Sequence, residues 1–230
     1  MRLTLVRNAT VILELAGRRI LVDPMLDDAG TRPPIEGTGN QVANPTVPLP
    51  FPAEEVVSGI DAVLVTHRHR DHLDGRAEEL LPRDVPVFCQ PEDEEALRAL
   101  GVAVQPVVET LEWDGLRITR TPARHGSGRM AELLAPVSGF VLDDVYLAGD
   151  TVWYEGVEET IERHRPRVAI VNAGGAEFAR GRSHRHGNRR RPGGRSACAD
   201  GRRGSHGSAQ PLLPHASRPR SRRARRRDPG

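Results

Sequence analysis

The sequence predicts an α+β fold in which two β-sheets pack on one another and helices cover their outer faces. Apolar and β-branched runs typical of strands dominate the first half of the 230 residues, and short helical patterns separate the later strands. No internal repeat is present in the sequence. This order of elements favours layered sheets with helices outside them, and the length suits one medium domain with an appendage.

The first 23 residues predict strands and a hairpin. Two leucines near the start alternate with polar neighbours, as in a half-buried strand. The apolar segments 10–15 and 19–23 flank a short turn that contains glycine, which favours a β-hairpin. Residues 24–52 then hold seven prolines. A loop of this length inside a compact domain usually has a function or covers a site.

Strands and helices alternate after this loop. Residues 62–65 form an apolar run suited to a buried strand. The run at 85–89 contains Pro86, which cannot donate a ladder hydrogen bond and so indicates a strand towards a sheet edge. Further strands are expected at 102–107, 116–121, 137–142, 145–148 and 167–171, and helices at 76–81, 92–100 and 155–164.

The charge distribution divides the chain into two parts. Every basic residue is an arginine; residues 1–180 hold 18 of them against 29 acidic residues, whereas residues 181–230 hold 15 against two aspartates. The last fifty residues contain no Val, Ile, Phe, Met, Trp or Tyr, so they cannot bury enough apolar surface to offset the entropy of ordering. We therefore predict a domain over residues 1–181 and a disordered, Arg-rich tail over 182–230.

Several classes of protein are disfavoured by the sequence. No run of about 18 apolar residues exists, so we expect no membrane-spanning helix and no membrane partner. The first residues lack the apolar stretch and cleavage site of a signal peptide. The two cysteines, Cys89 and Cys198, lie one in each part of the chain and do not suggest a disulfide framework. These features predict a cytoplasmic protein.

A histidine-rich motif directly follows the apolar strand at 62–65. His67, His69 and His72 lie within six residues together with Asp71. Zinc, manganese and iron bind such mixtures of imidazole and carboxylate. A solvated surface loop is the alternative, because histidine and arginine also occur together in the tail. The strand context and the spacing favour a metal site.

This motif, His67-x-His69-x-Asp71-His72, resembles the signature of the metallo-β-lactamase superfamily of metal-dependent hydrolases. Asp23, His125 and Asp150 follow further strands and resemble other acidic and histidine positions of that family. The opening strands, the proline-rich loop and residues 172–175 are most similar to its L-ascorbate-6-phosphate lactonase-like branch.

The resemblance covers about residues 1–181, and it implies an αββα sandwich of the metallo-β-lactamase type. In this chain the C-terminal layer would be missing or replaced by the disordered tail. The resemblance also implies two divalent metal ions, zinc or manganese, whose ligands are His67, His69 and His125 for the first, Asp71 and His72 for the second, and a bridging Asp150.

Two further carboxylate roles are expected at this site. Asp71 could also act in catalysis, because it could orient a metal-bound water or shuttle its proton. Asp23 is expected to support the site from behind rather than to bind a metal.

The second metal site is expected to be incomplete. The family pattern needs one more histidine after a further strand, and the four tail histidines lie among Arg, Gly, Ser and Pro with no apolar strand to position them. The abrupt change of composition near residue 182 indicates a frameshift product, since GC-rich codons read out of frame yield such residues. The alternative is a genuine basic tail that binds nucleic acid or another polyanion.

Together these features predict a hydrolase that uses metal-activated hydroxide on a small-molecule ester, lactone or phosphoester. The alternative is a non-catalytic or crippled metal-binding protein whose basic tail binds polyanions. A nuclease of the same superfamily is disfavoured, because the acidic domain is a poor surface for nucleic acid. Nucleic acid is expected as a partner only if the tail is genuine, and the oligomeric state stays open.

Overall fold

Two six-stranded sheets form the framework of the protein in a computed structural model, which describes residues 1–35, 41–126, 135–174, 177–178, 182–183 and 209–212. The strands are β1 (Arg2–Arg7), β2 (Thr10–Leu15), β3 (Arg18–Val22), β4 (Ala62–Val65), β5 (Pro86–Cys89), β6 (Ala103–Pro106), β7 (Thr110–Trp113), β8 (Leu116–Pro122), β9 (Ser138–Leu142), β10 (Val145–Leu147), β11 (Val168–Asn172), β12 (Glu177–Phe178), β13 (Arg182–Ser183) and β14 (Ala209–Leu212). The helices are α1 (Ala53–Val56), α2 (Gly75–Leu80), α3 (Glu94–Arg98) and α4 (Glu155–His164), with a 3₁₀ turn at Pro91–Asp93.

The first sheet has the strand order β1-β2-β3-β4-β5-β6, and the second has the order β14-β11-β10-β9-β8-β7. Strands β3 to β6 are mutually parallel, and β10 is parallel to β11. Because parallel strands end at the same edge of a sheet, β3 and β4 deliver their next residues to one place. Strands β10 and β11 do the same in the second sheet.

Three apolar clusters divide the molecule into four layers. The central cluster lies between the sheets and includes Phe88 from the first and Phe140 from the second, both fully buried. A second cluster joins the outer face of the first sheet to α1, α2 and α3. A third joins the outer face of the second sheet to α4. Burial of each large apolar side chain stabilises the folded state by about 1.5–3 kcal/mol relative to leaving that side chain exposed. This arrangement confirms the predicted αββα sandwich.

A buried arginine fastens the proline-rich loop to the first sheet. Arg7 is only 3% exposed, and it donates hydrogen bonds to the carbonyl oxygens of Met25 (2.7 and 2.9 Å), Val47 (3.1 Å) and Asp27. Burial lowers the pKa of the Arg7 guanidinium, and nearby Asp74 and Asp27 partly oppose that effect. The loop is therefore tied to the sheet at both of its ends.

The structure differs from the sequence-based expectations at several elements. Helix α1 and strands β7, β12 and β13 were not predicted. Strand β5 lies between β4 and β6 rather than at an edge, because Pro86 is its first residue and the missing N–H interrupts no interior pairing. Strand β14 arises within the predicted tail and pairs antiparallel with β11 at the sheet edge, a position that tolerates proline.

Strand β13 also lies within the predicted tail and pairs antiparallel with β12. The remaining tail residues, which include the four tail histidines, lie outside the described residues. Among the helices that the structure describes, none has the length and apolar character needed to cross a bilayer.

Candidate metal centre

Five side chains from three segments meet where strands of both sheets end. His67, His69 and His72 lie in the loop after β4, His125 follows β8, and Asp150 follows β10. Their possible ligand atoms form two groups that share His67, one with His69 and His125 and the other with His72 and Asp150. Within each group the atoms lie no more than 4.8 Å apart.

The distances within the cluster place Asp150 between the two groups. Its Oδ1 lies 3.2 Å from Nε2 of His72, and its Oδ2 lies 3.5 Å from Nε2 of His125. On the other side of the cluster, Nε2 of His67 lies 3.0 Å from Nδ1 of His69. The two oxygens of one carboxylate therefore face histidines of different groups.

The donor set fits divalent metal ions. Four imidazole rings pack with centroids 4.1 to 5.4 Å apart, and their ring nitrogens converge on one another and on Asp150. Burial of polar nitrogens is costly unless they form hydrogen bonds or bind a metal ion. Imidazole nitrogen and carboxylate oxygen are ligands that zinc and manganese accept.

A tight turn after β4 sets the spacing of the histidines. The backbone N–H groups of His72 and Leu73 both donate to the carbonyl of His69, at 2.9 and 2.8 Å. The next residue, Asp74, caps α2 by accepting from the Ala77 N–H (2.9 Å), and its other oxygen accepts from the Asp27 N–H (2.7 Å). The histidine loop is thus held between a buried strand and a capped helix.

Asp23 contacts the side of the His72 ring opposite Asp150, a supporting position that the sequence predicts for this carboxylate. Its Oδ2 lies 2.8 Å from Nδ1 of His72 and 2.7 Å from the Thr66 hydroxyl, and its Oδ1 accepts the Thr66 N–H at 2.7 Å. Because Nδ1–H donates to this carboxylate, the neutral form of the ring carries its lone pair on Nε2, the nitrogen nearest Asp150.

Burial and neighbouring charges shift two of the histidines in opposite directions. Burial holds the pKa of His67 well below its ordinary value, so this imidazole is neutral and offers a lone pair. Burial also acts to lower the pKa of His72, but Asp150 and Asp23 outweigh it and raise that pKa well above the ordinary value. A metal at His72 must therefore displace a proton, so its affinity should rise with pH until the raised pKa is passed.

Comparison with known proteins decides the family. Residues 18–189 match the family model described as the beta-lactamase superfamily domain. UPF0173 protein YddR of Bacillus subtilis (strain 168) is 36% identical over 183 residues, which cover 76% of this chain and 72% of YddR. The chain belongs to the metallo-β-lactamase superfamily. Within the superfamily it is a member of the UPF0173 family, whose relatives in several archaea and bacteria are named metal-dependent hydrolases.

Two solved structures are similar to the chain in both sequence and fold. A possible metal-dependent hydrolase from Veillonella parvula DSM 2008 is 36% identical, with a TM-score of 0.76 over 80% of this chain and 76% of that one. An isothiocyanate hydrolase from Delia radicum gut bacteria is 33% identical, with a TM-score of 0.75 over 81% and 77% of the two chains. Because its UPF0173 relatives are named metal-dependent hydrolases, the chain is a metal-dependent hydrolase by family resemblance.

The structure brings five of the six predicted ligands together. Asp71, the sixth, is half-buried in the turn between His69 and His72 and belongs to neither ligand group. Asn172 was missed as a site residue, although its segment contributed to the family resemblance. Its side chain donates a hydrogen bond to Asp150. Its position directly after an apolar strand was the available signal.

Gly149 gives the chain the backbone conformation that places Asp150 in the cluster. Its φ is +63°, and a Cβ there would lie 2.7 Å from the carbonyl oxygen of Ser138. We expect Gly149→Ala to displace Asp150 and to weaken metal binding about tenfold or more, as loss of ligand orientation does elsewhere. Metal titration of the purified variant measures this.

The matched control is Gly101→Ala, because Gly101 also has a positive φ (+76°) but open space around the added Cβ. Both variants should pay the left-handed penalty of about 1–2 kcal/mol in stability. Only Gly149→Ala should lose metal, and equal metal affinity of the two variants would contradict the prediction.

Proposed function

We propose that the chain is a dinuclear metal-dependent hydrolase that cleaves a small-molecule ester, lactone or phosphoester. The observation that carries the proposal is the pair of candidate ligand groups that have His67 in common. The two oxygens of Asp150 face His72 of one group and His125 of the other. Two divalent ions, zinc or manganese, would supply acidification of a water molecule and polarisation of a substrate oxygen.

The proposed roles follow from the contacts of each side chain. The imidazoles of His67, His69 and His125 would hold the first ion, and His72 with Asp150 would hold the second, while Asp150 reaches both. Burial keeps His67 neutral, which suits a ligand. Asp71 remains proposed as the group that orients the water or takes its proton, since it is half-buried in the same turn rather than enclosed in the cluster.

Two classes of substrate are candidates for this site. The resemblance to the L-ascorbate-6-phosphate lactonase-like branch favours a lactone or phosphoester. The second candidate is an isothiocyanate, and the similarity to the isothiocyanate hydrolase from Delia radicum gut bacteria favours it. Both are small electrophiles that a nucleophilic water can attack, so the same ligand set suits either. The cytoplasmic location predicted from the sequence stays part of this proposal.

The test uses the full chain, stripped of metal with a chelator and reloaded with zinc or manganese. Metal per chain is measured, and turnover is assayed on a lactone, an aryl phosphodiester, an aryl ester and an arylalkyl isothiocyanate. About two ions per chain with turnover that depends on them supports the proposal. Less than one ion per chain and no turnover overturns it and favours the non-catalytic metal-binding alternative.

We also propose that residues 182–230 are a frameshift product rather than a polyanion-binding tail. The match to YddR supports this, because it leaves about a quarter of each chain unpaired. The proposal concerns mainly residues outside those that the structure describes. A genomic DNA read across codons 175–215 tests it, since a lost or gained base near codon 181 is the expected result and an intact frame contradicts it.

A further inference from the structure

One contact at the metal centre involves a side chain that binds no metal in the proposed arrangement. The amide nitrogen of Asn172 donates a hydrogen bond to Oδ1 of Asp150, at 2.8 Å. Asn172 is the last residue of β11, and Asp150 follows β10, its parallel neighbour. The N–H of Ala148 bonds to the carbonyl of Ile170 at 2.9 Å, which continues that pairing towards the site. The two side chains are thus placed by adjacent strand ends.

This hydrogen bond distinguishes the two oxygens of Asp150. The terminal torsion of an aspartate is broad and nearly two-fold, so by itself it does not fix which oxygen faces which neighbour. An amide N–H is a donor only, and it holds Oδ1 on the side where Nε2 of His72 lies 3.2 Å away. Oδ2 is then left facing Nε2 of His125, at 3.5 Å.

We infer that Asn172 is a positioning residue that orients the Asp150 carboxylate so that one oxygen serves each metal position. This inference rests on the proposed dinuclear function. Asn172 acts through Asp150 rather than on the substrate. Its loss should therefore weaken metal binding at the His72 side, where Oδ1 lies, more than at the side of His67, His69 and His125.

The test is cobalt(II) titration of the metal-free full chain, followed by visible absorption, and the central variant is Asn172→Ala. We expect the second cobalt ion to bind about 10–100-fold more weakly than in the unsubstituted chain, while the first binds normally. The absorption of the second ion should change, because its carboxylate ligand is no longer held. Asn172→Gln retains a donor on a longer side chain and should recover part of the affinity.

Val171→Ala is the matched control, because Val171 precedes Asn172 on β11 and packs against the outer cluster of the second sheet. It should lower the thermal midpoint of the metal-free protein without changing either cobalt affinity. If Asn172→Ala binds both ions as tightly as the unsubstituted chain, the inference alone is overturned. If the unsubstituted chain takes up no cobalt, the proposed function falls as well, so the two failures are distinguishable.

Discussion

Replacement of Asp150 by alanine is expected to remove both metal ions and to lower activity about 10³-fold or more. Asp150 is the proposed ligand that reaches both ions, because its Oδ1 lies 3.2 Å from Nε2 of His72 and its Oδ2 lies 3.5 Å from Nε2 of His125. His69→Ala, by contrast, removes a ligand from one group only. Metal per chain should therefore fall from about two to near zero for Asp150→Ala and to about one for His69→Ala.

Elemental analysis of the dialysed variants measures this difference. His164→Ala is the matched control, because His164 is the last residue of α4 and lies outside both ligand groups. Its metal content should equal that of the unsubstituted chain. Asp150 is buried, so Asp150→Asn serves as a second, less disruptive variant if the alanine protein does not fold. Two ions bound to either Asp150 variant would refute the shared-ligand arrangement.

Asp23→Asn is expected to abolish binding at the His72 side and to lower activity about 10²–10⁴-fold, the range seen when a buried carboxylate that sets a histidine tautomer is lost. If the new amide oxygen keeps the Thr66 N–H, its NH₂ group faces Nδ1 of His72. That nitrogen must then accept a hydrogen bond, so the proton moves to Nε2 and blocks the lone pair that a metal needs. The pKa of His72 should also fall, because Asp23 is one of the two carboxylates that raise it.

Asp61→Asn is the comparison variant for Asp23→Asn. Asp61 also accepts a backbone N–H, from Arg19 at 2.7 Å, but it lies just before β4, at the opposite end of that strand from the histidines. NMR of imidazole nitrogens in the metal-free proteins reports the tautomer and the pKa of His72. A His72 spectrum unchanged by Asp23→Asn would show that Asp23 does not set its proton position.

Sequence patterns predicted most of the layers because the strands of both sheets are apolar runs with clear ends. The run at 62–65, for example, is fully buried, and its composition alone favours that position. Strand β7 was missed because its residues alternate in exposure at the edge of the second sheet, so its pattern is weak. Strand β14 has little apolar character of its own and depends on pairing with β11.

The site was partly predictable for a similar reason. Metal ligands cluster in sequence after β4, and the resemblance supplied His125 and Asp150. The hydrogen bonds that orient those ligands were harder to predict, because each joins residues far apart in the chain, such as Asp23 with His72 and Asn172 with Asp150. Which carboxylate or amide meets which ligand is decided by the parallel pairing of strands. That pairing is a property of the tertiary structure rather than of any local segment.

Because the metal ligands come from both sheets, bound ions would connect the two sheets and oppose unfolding. Bound ions would join the loop after β4 to the residue after β10, and so close a loop of about eighty residues that no covalent bond closes. In a chain whose described cysteine, Cys89, is a free thiol, such ions would act as a removable cross-link. Removal of the ions by a chelator should therefore allow the two sheets to separate at a lower denaturant concentration, as reduction of a disulfide does in other proteins.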